Sequence, residues 1–358
     1  MSPRNRSILD TGGFKLSCIR HYRTLSHHRH DRSAQPFWNV FPQWIACSVV
    51  PREATWWSHT GANGRCRSFQ CDLCDFETYW RTPGYGVAVR SDQCRVGDLI
   101  VVADLPDSVR HRLSCGSGWT SRWIASWQFR GDEISCAVRD LAAMPIEGLQ
   151  PVRRFGWGAR QKHRPGLQFL VSTGRHHGFE SLEEQRLLLA LDFAGEVIEV
   201  LPQPFRLSFE TAAGRRGEHV PDYLAVSQDG SGWLFDVRPA GLIGDDDMTK
   251  FVAAKEAALV NDWSYSVVAG WAPHVVSVMD AFSAQRRELT DRLGLEGQLL
   301  SAVVTGPRRF ADLVNAASLP AVARAHALHL LWHRRLGIEL GSPLSDETLV
   351  FAGWESAR

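Results

Sequence analysis

At 358 residues the chain is too long for one small domain and suits two or three, each large enough to bury its own core. Hydrophobic residues at 44% and charged residues at 22% exclude wholesale disorder, and no apolar run approaches the roughly 18 residues of a membrane span. The start, MSPRNRSILDTGGFK, lacks a secretory apolar stretch, so a soluble, cytoplasmic protein is expected, and a net charge of +1 leaves nucleic-acid binding to local basic surface.

All eight cysteines fall in the first 136 residues. Up to about residue 120 the text is rich in Arg, Ser, Trp and Cys with weak periodicity, and segments such as VGDLIVVADL, residues 96 to 105, read as strand candidates. Cys66, Cys71 and Cys74, with Cys94 or Cys115 as a fourth ligand, have part of a zinc-ribbon pattern, but the second C-x-x-C is missing. The competing reading is that the natural start lies downstream, which would put residues 1 to about 120 outside the protein. His27, His28 and His30 lie in a basic run that reads as a solvated tail, or as a contact to phosphate.

From Trp127 the patterns sharpen. WQFRGDEISCAVRDLAAM reads as a hairpin and a helix start. The stretch 153 to 164, RRFGWGARQKHR, reads as a basic loop in which Arg153, Arg154, Arg160, Lys162 and Arg164 accompany two aromatics, a composition suited to sequence-neutral contact with a DNA backbone. SLEEQRLLLALDF, residues 181 to 193, predicts a helix with Ser181 as N-cap and Glu184 as the capping-box acid. EVIEVLPQPFRLSFE, HVPDYLAVSQDG and GWLFDVRPA predict three neighbouring strands, DDDMTKFVAAKEAALVNDW a second helix and SYSVVAGW a further strand. After about residue 275 the chain turns helical, with VMDAFSAQRRELTDRLGL, RRFADLVNAAS and PAVARAHALHLLWHRRLGIEL. The tail GIELGSPLSDETLVFAGW reads as the hairpin of a winged-helix module.

The α/β part presents Glu184 near a helix start, Asp222 at the opening of a strand, and Asp236 two residues before Arg238 on the next strand. Phosphodiester hydrolysis uses divalent metal, and hard cations want several oxygen ligands, which three carboxylates supply. A cation two residues beyond the last carboxylate leaves the strand on the same face and can steady transition-state charge. Each residue also has an ordinary structural reading: Glu184 as a capping acid, Asp222 as a turn residue, Asp236 with Arg238 as a surface ion pair.

From about Pro151 onward the chain resembles the TnsA-like transposon-end endonucleases of heteromeric transposases. The matching text is Arg160-Gln161 and Pro165-Gly166, Phe179-Glu180-Ser181 leading to Glu184, Gln203-Pro204-Phe205, His219-Val220-Pro221-Asp222-Tyr223, Asp236-Val237-Arg238-Pro239, and the late LHLLW followed by PLSDETLV. The resemblance implies a restriction-endonuclease-like core, a mixed sheet flanked by helices, over residues 121–274, followed by a helical winged-helix-like domain over 275–358. It implies cleavage of one DNA strand at each transposon end with Mg2+ or Mn2+ held by Glu184, Asp222 and Asp236. The implied partners are transposon-end DNA, an integrase-type transposase and an AAA+ ATPase regulator. Where the family pattern has lysine this chain has Arg238, which keeps an electrostatic role and gives up a general-base role. Only four of the 40 basic residues are lysine, in keeping with a bias toward arginine over the whole chain. Glu180 stands in reserve for Glu184. The alternatives are a stand-alone restriction or repair nuclease of the same fold, and a catalytically silent subunit that binds DNA or a partner.

Overall fold

The computed structural model describes residues 89–153 and 164–354. Cys66, Cys71, Cys74, His27, His28, His30, Arg154, Arg160 and Lys162 lie outside the described residues. The helices are α1 (Val96–Leu99), α2 (Trp119–Arg122), α3 (Leu182–Ala194), α4 (Asp245–Leu259), α5 (Val275–Ser283), α6 (Leu295–Ala302), α7 (Phe310–Asn315) and α8 (Pro320–Trp332). The strands run from β1 (Ile100–Val102), β2 (Ile124–Phe129), β3 (Asp132–Ala137) and β4 (Leu149–Gln150) through β5 (Gly166–Leu170), β6 (Arg175–Phe179), β7 (Val197–Pro202) and β8 (Phe205–Glu210). They continue with β9 (Arg216–His219), β10 (Tyr223–Ser227), β11 (Gly232–Val237) and β12 (Ser264–Trp271), and end with β13 (Arg308–Arg309), β14 (Leu336–Gly337) and β15 (Leu349–Ala352).

The fold is mixed α/β. A five-stranded mixed sheet has the order β1-β12-β11-β10-β7, in which β11 and β12 pair parallel and the other pairs are antiparallel. A second, antiparallel sheet has the order β3-β2-β8-β9 with β4 on β2, and β5 with β6 forms a separate hairpin. Alternation along the mixed sheet assigns its two faces. Tyr223, Ala225 and Phe235 join the core that contains α3, whereas Leu224 and Leu234 join the core that contains α4. Each fully buried leucine of α3, such as Leu187 or Leu191, contributes roughly 1.5–3 kcal/mol by leaving water.

The helix expected from residue 181 forms as α3, with Ser181 as its N-cap. It stops at Gly195, whose φ of 68° is the left-handed C-cap conformation that glycine adopts without steric cost. The hairpin expected after Trp127 is β2 and β3, turned at Arg130 and Gly131, both with positive φ. Its expected helix start is a 3-10 turn, Val138–Ala143. The second helix is α4 and the further strand is β12.

Three sequence expectations are revised. EVIEVLPQPFRLSFE is not one strand but β7 and β8, in different sheets, because Gln203 takes a φ of 45° ahead of Pro204 and turns the chain. HVPDYLAVSQDG is likewise divided: His219 ends β9 of the antiparallel sheet and Tyr223 opens β10 of the mixed one. The helix expected through VMDAFSAQRRELTDRLGL ends at Ser283, and a separate helix, α6, begins at Leu295 where Asp291 accepts the backbone N–H groups of Leu295 and Glu296.

Packing begins well before residue 121. Of VGDLIVVADL, residues 96–99 form α1 and 100–102 form β1, the edge strand against β12. Cys94, Val96, Leu99 and Ile100 are buried in the same core as α3, so the described part of the first third is built into the fold. Cys94 Sγ donates to Ser91 O at 3.2 Å, and burial pushes its thiol up to about 12.

The core also runs unbroken past residue 274. Phe193 on α3 packs against Phe282 on α5 and Trp332 on α8, with ring centroids 5.9 and 5.2 Å apart. The last part of the chain follows the order α6, β13, α7, α8, β14, β15. The expected tail hairpin is β14 and β15, with β13 paired to the other edge of β15. Among the described residues no helix is long and apolar enough to cross a membrane.

Candidate active site

Asp222 precedes β10 and Asp236 lies near the end of β11. These strands pair antiparallel with Tyr223 opposite Phe235, so Asp222, one residue before that pair, lies beside the end of β11 that carries Asp236, whose charge acts on it. Regular pairing ends there: Asp222 N donates to Phe235 O at 3.0 Å, one residue off the ladder register, and Asp222 Oδ2 accepts from Val237 N at 2.7 Å. Burial raises the Asp222 carboxyl well above the usual carboxylate range, and the charges of Asp236 and Glu184 raise it further.

Glu184 enters from the first turn of α3. Its Oε2 accepts from Glu180 N at 2.8 Å and its Oε1 from the Ser181 hydroxyl at 2.9 Å, while Ser181 Oγ accepts from Glu184 N at 3.2 Å. The capping role read in the sequence is therefore real. It coexists with an influence on Asp222, whose carboxyl the Glu184 charge raises; Tyr223 OH, next along the chain from Asp222, donates to Gly178 O at 2.9 Å and lies 3.5 Å from Glu184 Oε2. Burial raises the Glu184 carboxyl, opposed by the hydrogen bond from Glu180 N. Glu180, the reserve candidate, is 4.0 Å from Arg153, and Glu183 is drawn elsewhere by Trp271 Nε1 at 2.6 Å and by Arg186.

Asp236 is 2% exposed and has partners that sequence reasoning missed. His219 Nε2 is 2.9 Å from both of its oxygens, and Tyr265 OH donates to Oδ2 at 2.5 Å. His219 was visible only as the first letter of H-V-P-D-Y, and nothing in SYSVVAGW marked Tyr265. Burial, then the Asp236 charge, raise the Tyr265 phenol well above its usual range, so it stays a donor. Gln203 belongs to the same neighbourhood: its N donates to Asp222 O at 2.7 Å, its carbonyl accepts from Val152 N at 3.0 Å, and its buried Oε1 has no hydrogen-bond partner.

Arg238 does not turn toward these carboxylates. Its Nε donates to Leu242 O at 3.2 Å and lies 3.4 Å from Asp247 Oδ2 in the first turn of α4. Among the described residues a nearby cation is Arg153, which is exposed, and whose charge acts to lower the Asp222 carboxyl. Arg164, the other described member of the basic loop, is also exposed.

Chemically the site offers three hard oxygen donors, two of them on adjacent strands and one from a helix start, with mutual repulsion that a divalent cation would relieve. Their oxygens are not all within 4.8 Å of one another. Among the described residues the group that meets that spacing is Asp291, Glu296 and His326. No protein-family model matches the chain, and no curated protein matches it.

Proposed function

We propose that the chain is a metal-dependent DNA endonuclease, with a restriction-endonuclease-like core and a winged-helix-like C-terminal part, acting as the strand-cutting subunit of a transposase. The observation that carries this reading is the convergence of Asp222 just before β10, Asp236 near the end of the adjacent β11 and Glu184 in the first turn of α3, where burial and the other two charges raise the Asp222 carboxyl. Like charges held together in a half-buried site cost stability, and a bound Mg2+ or Mn2+ offsets that cost.

Glu184, Asp222 and Asp236 would hold the ion, which supplies polarisation of the scissile phosphate and activation of water when bound. Donor chemistry fits, since carboxylate oxygens suit magnesium and manganese. His219 and Tyr265 fix the orientation of Asp236. Arg153 and Arg164 are exposed cations for the phosphate backbone. Arg238 would reach substrate by exchanging Asp247 and Leu242 O for phosphate, a bidentate acceptor that suits guanidinium. The mixed sheet flanked by helices, and the hairpin after α8, support the fold assignment. Transposon-end DNA, an integrase-type transposase, an AAA+ ATPase regulator and a cytoplasmic location belong to the same proposal.

A second reading, a silent subunit that binds DNA or a partner, is favoured by the engagement of Arg238 with Asp247 and of Asp236 with His219 and Tyr265. Nicking of labelled transposon-end DNA by the full chain, with Mg2+ or Mn2+ and with or without the neighbouring transposase, separates the two. Metal-dependent cutting abolished by Asp222→Ala supports the nuclease; cutting without the transposase favours a stand-alone enzyme. Absence of cutting under every condition, with DNA still bound, supports the silent subunit.

A further inference from the structure

A second cluster of ligand atoms lies away from the proposed nuclease site, and nothing in that reading uses it. Asp291, Glu296 and His326 bring one ligand atom each within 4.8 Å of one another. Asp291 stands before α6, where its two oxygens accept from Leu295 N at 2.8 Å and Glu296 N at 2.9 Å. Glu296 is in the first turn of α6, and its Oε2 pairs with Arg335 at 2.7 Å. His326 lies on α8 and is 4% exposed.

The independent observation is the imidazole. His326 Nδ1 is buried without a hydrogen-bond partner, and the nearest carboxylate oxygen, Glu296 Oε1, is 3.5 Å away. A buried polar atom without a partner is a cost that folded proteins usually avoid. An imidazole nitrogen beside two carboxylates is the donor set of a transition-metal site, and a bound ion would satisfy Nδ1 while neutralising two negative charges.

We propose that Asp291, Glu296 and His326 form a structural site for a divalent transition-metal ion of the manganese or zinc class, clamping the start of α6 to α8. Arg335 opposes the ion through its positive charge but also holds Glu296 in place, leaving Oε1 as the ligand oxygen. The clamp ties the segment 284–294, which carries no regular helix or strand, to the C-terminal helices. This site stands independently of the nuclease reading.

The test uses Mn2+ as probe, because manganese favours carboxylate and imidazole over the thiolates that eight cysteines offer to zinc. The full chain carrying Asp222→Asn, which disables the nuclease site, is titrated while the free-Mn2+ signal is followed by electron paramagnetic resonance. The expected result is one bound ion per chain, weakened at least about tenfold by Glu296→Gln and by His326→Gln, together with a rise in melting temperature on adding Mn2+ that both substitutions remove. If His326→Gln fails to fold by circular dichroism, Glu296→Gln decides. Absence of Mn2+ binding in the Asp222→Asn chain, or binding that the folded variants leave unchanged, overturns the proposal. Binding lost with Asp222→Asn alone assigns the ion to the nuclease site and overturns it equally.

Discussion

His219 Nε2 sits 2.9 Å from both carboxylate oxygens of Asp236, joining the end of one sheet to a strand of the other. A bidentate contact of this kind fixes the carboxylate plane. His219→Ala is therefore expected to lower metal-dependent nicking by about 10- to 100-fold, the range seen when partners of metal ligands are removed. Tyr265→Phe is expected to act in the same direction. The check is initial nicking rate against Mn2+ concentration, with melting curves run alongside. A loss that higher Mn2+ restores locates the defect in ion binding, and an unchanged rate refutes the positioning role.

Asp222 yields a prediction about stability and pH. Its folded-state carboxyl is raised by burial and by the charges of Asp236 and Glu184. A raised carboxyl makes a stabilising contribution at low pH that is lost as pH rises from the ordinary carboxylate range through the folded value. At neutral pH Asp222→Asn should therefore melt higher than the parent while being inactive. The gap should narrow as the medium is acidified, and Mg2+ should stabilise the parent more than the variant. Differential scanning fluorimetry at two pH values tests this, and a variant that melts lower at neutral pH refutes it.

Arg238 is held by Leu242 O and Asp247. If it exchanges these for phosphate during cleavage, Arg238→Ala should lower the cutting rate by about 100-fold, with Arg238→Lys losing less. Asp247→Asn should tighten DNA binding by releasing the guanidinium. Equal behaviour of Ala and Lys variants in single-turnover nicking would reject a role for the side chain's charge.

Phe193 couples the mixed sheet to the C-terminal helices through Phe282 and Trp332. Removing its ring should cost about 3–5 kcal/mol. Because one core spans these elements, tryptophan fluorescence and far-ultraviolet circular dichroism should report a single shared urea transition. Two separated transitions would show that residues 275–354 fold apart from the sheet.

A chain beginning at residue 121 should fail to fold. It would lose the buried Val96, Leu99 and Ile100, uncover the β12 edge, and leave Arg334 without its acceptors at Asp92 O and Cys94 O, 3.0 and 2.9 Å away. A soluble, cooperatively melting fragment from residue 121 would contradict this.

Elements with strong local signals were legible in advance. Ser181 with Glu184 marked the start of α3, and the hairpin after Trp127 and the strand β12 showed in the text alone. The break at Gln203 was not, because its positive φ is held by distant partners, Asp222 O and Val152 N, which no local pattern reveals. The end of α5 at Ser283 was missed because the following residues keep helical spacing, while Asp291 instead caps a new helix.

The sequence by itself determined which residue types the chain offers for chemistry, with Glu184, Asp222 and Asp236 in an order that local alternation assigns to strand ends and a helix start. Tertiary structure decided what each of them touches. Strand pairing brought Asp222 beside the end of β11 that carries Asp236, sheet-to-sheet contact brought His219 to Asp236, and α4 drew Arg238 toward Asp247. It also placed His326 beside Glu296, 30 positions earlier in the chain. The physical reason is range: propensity, capping and alternation act over a few residues and can be read along the chain, whereas charge, burial and hydrogen bonding act through space between segments that only the packed core brings together.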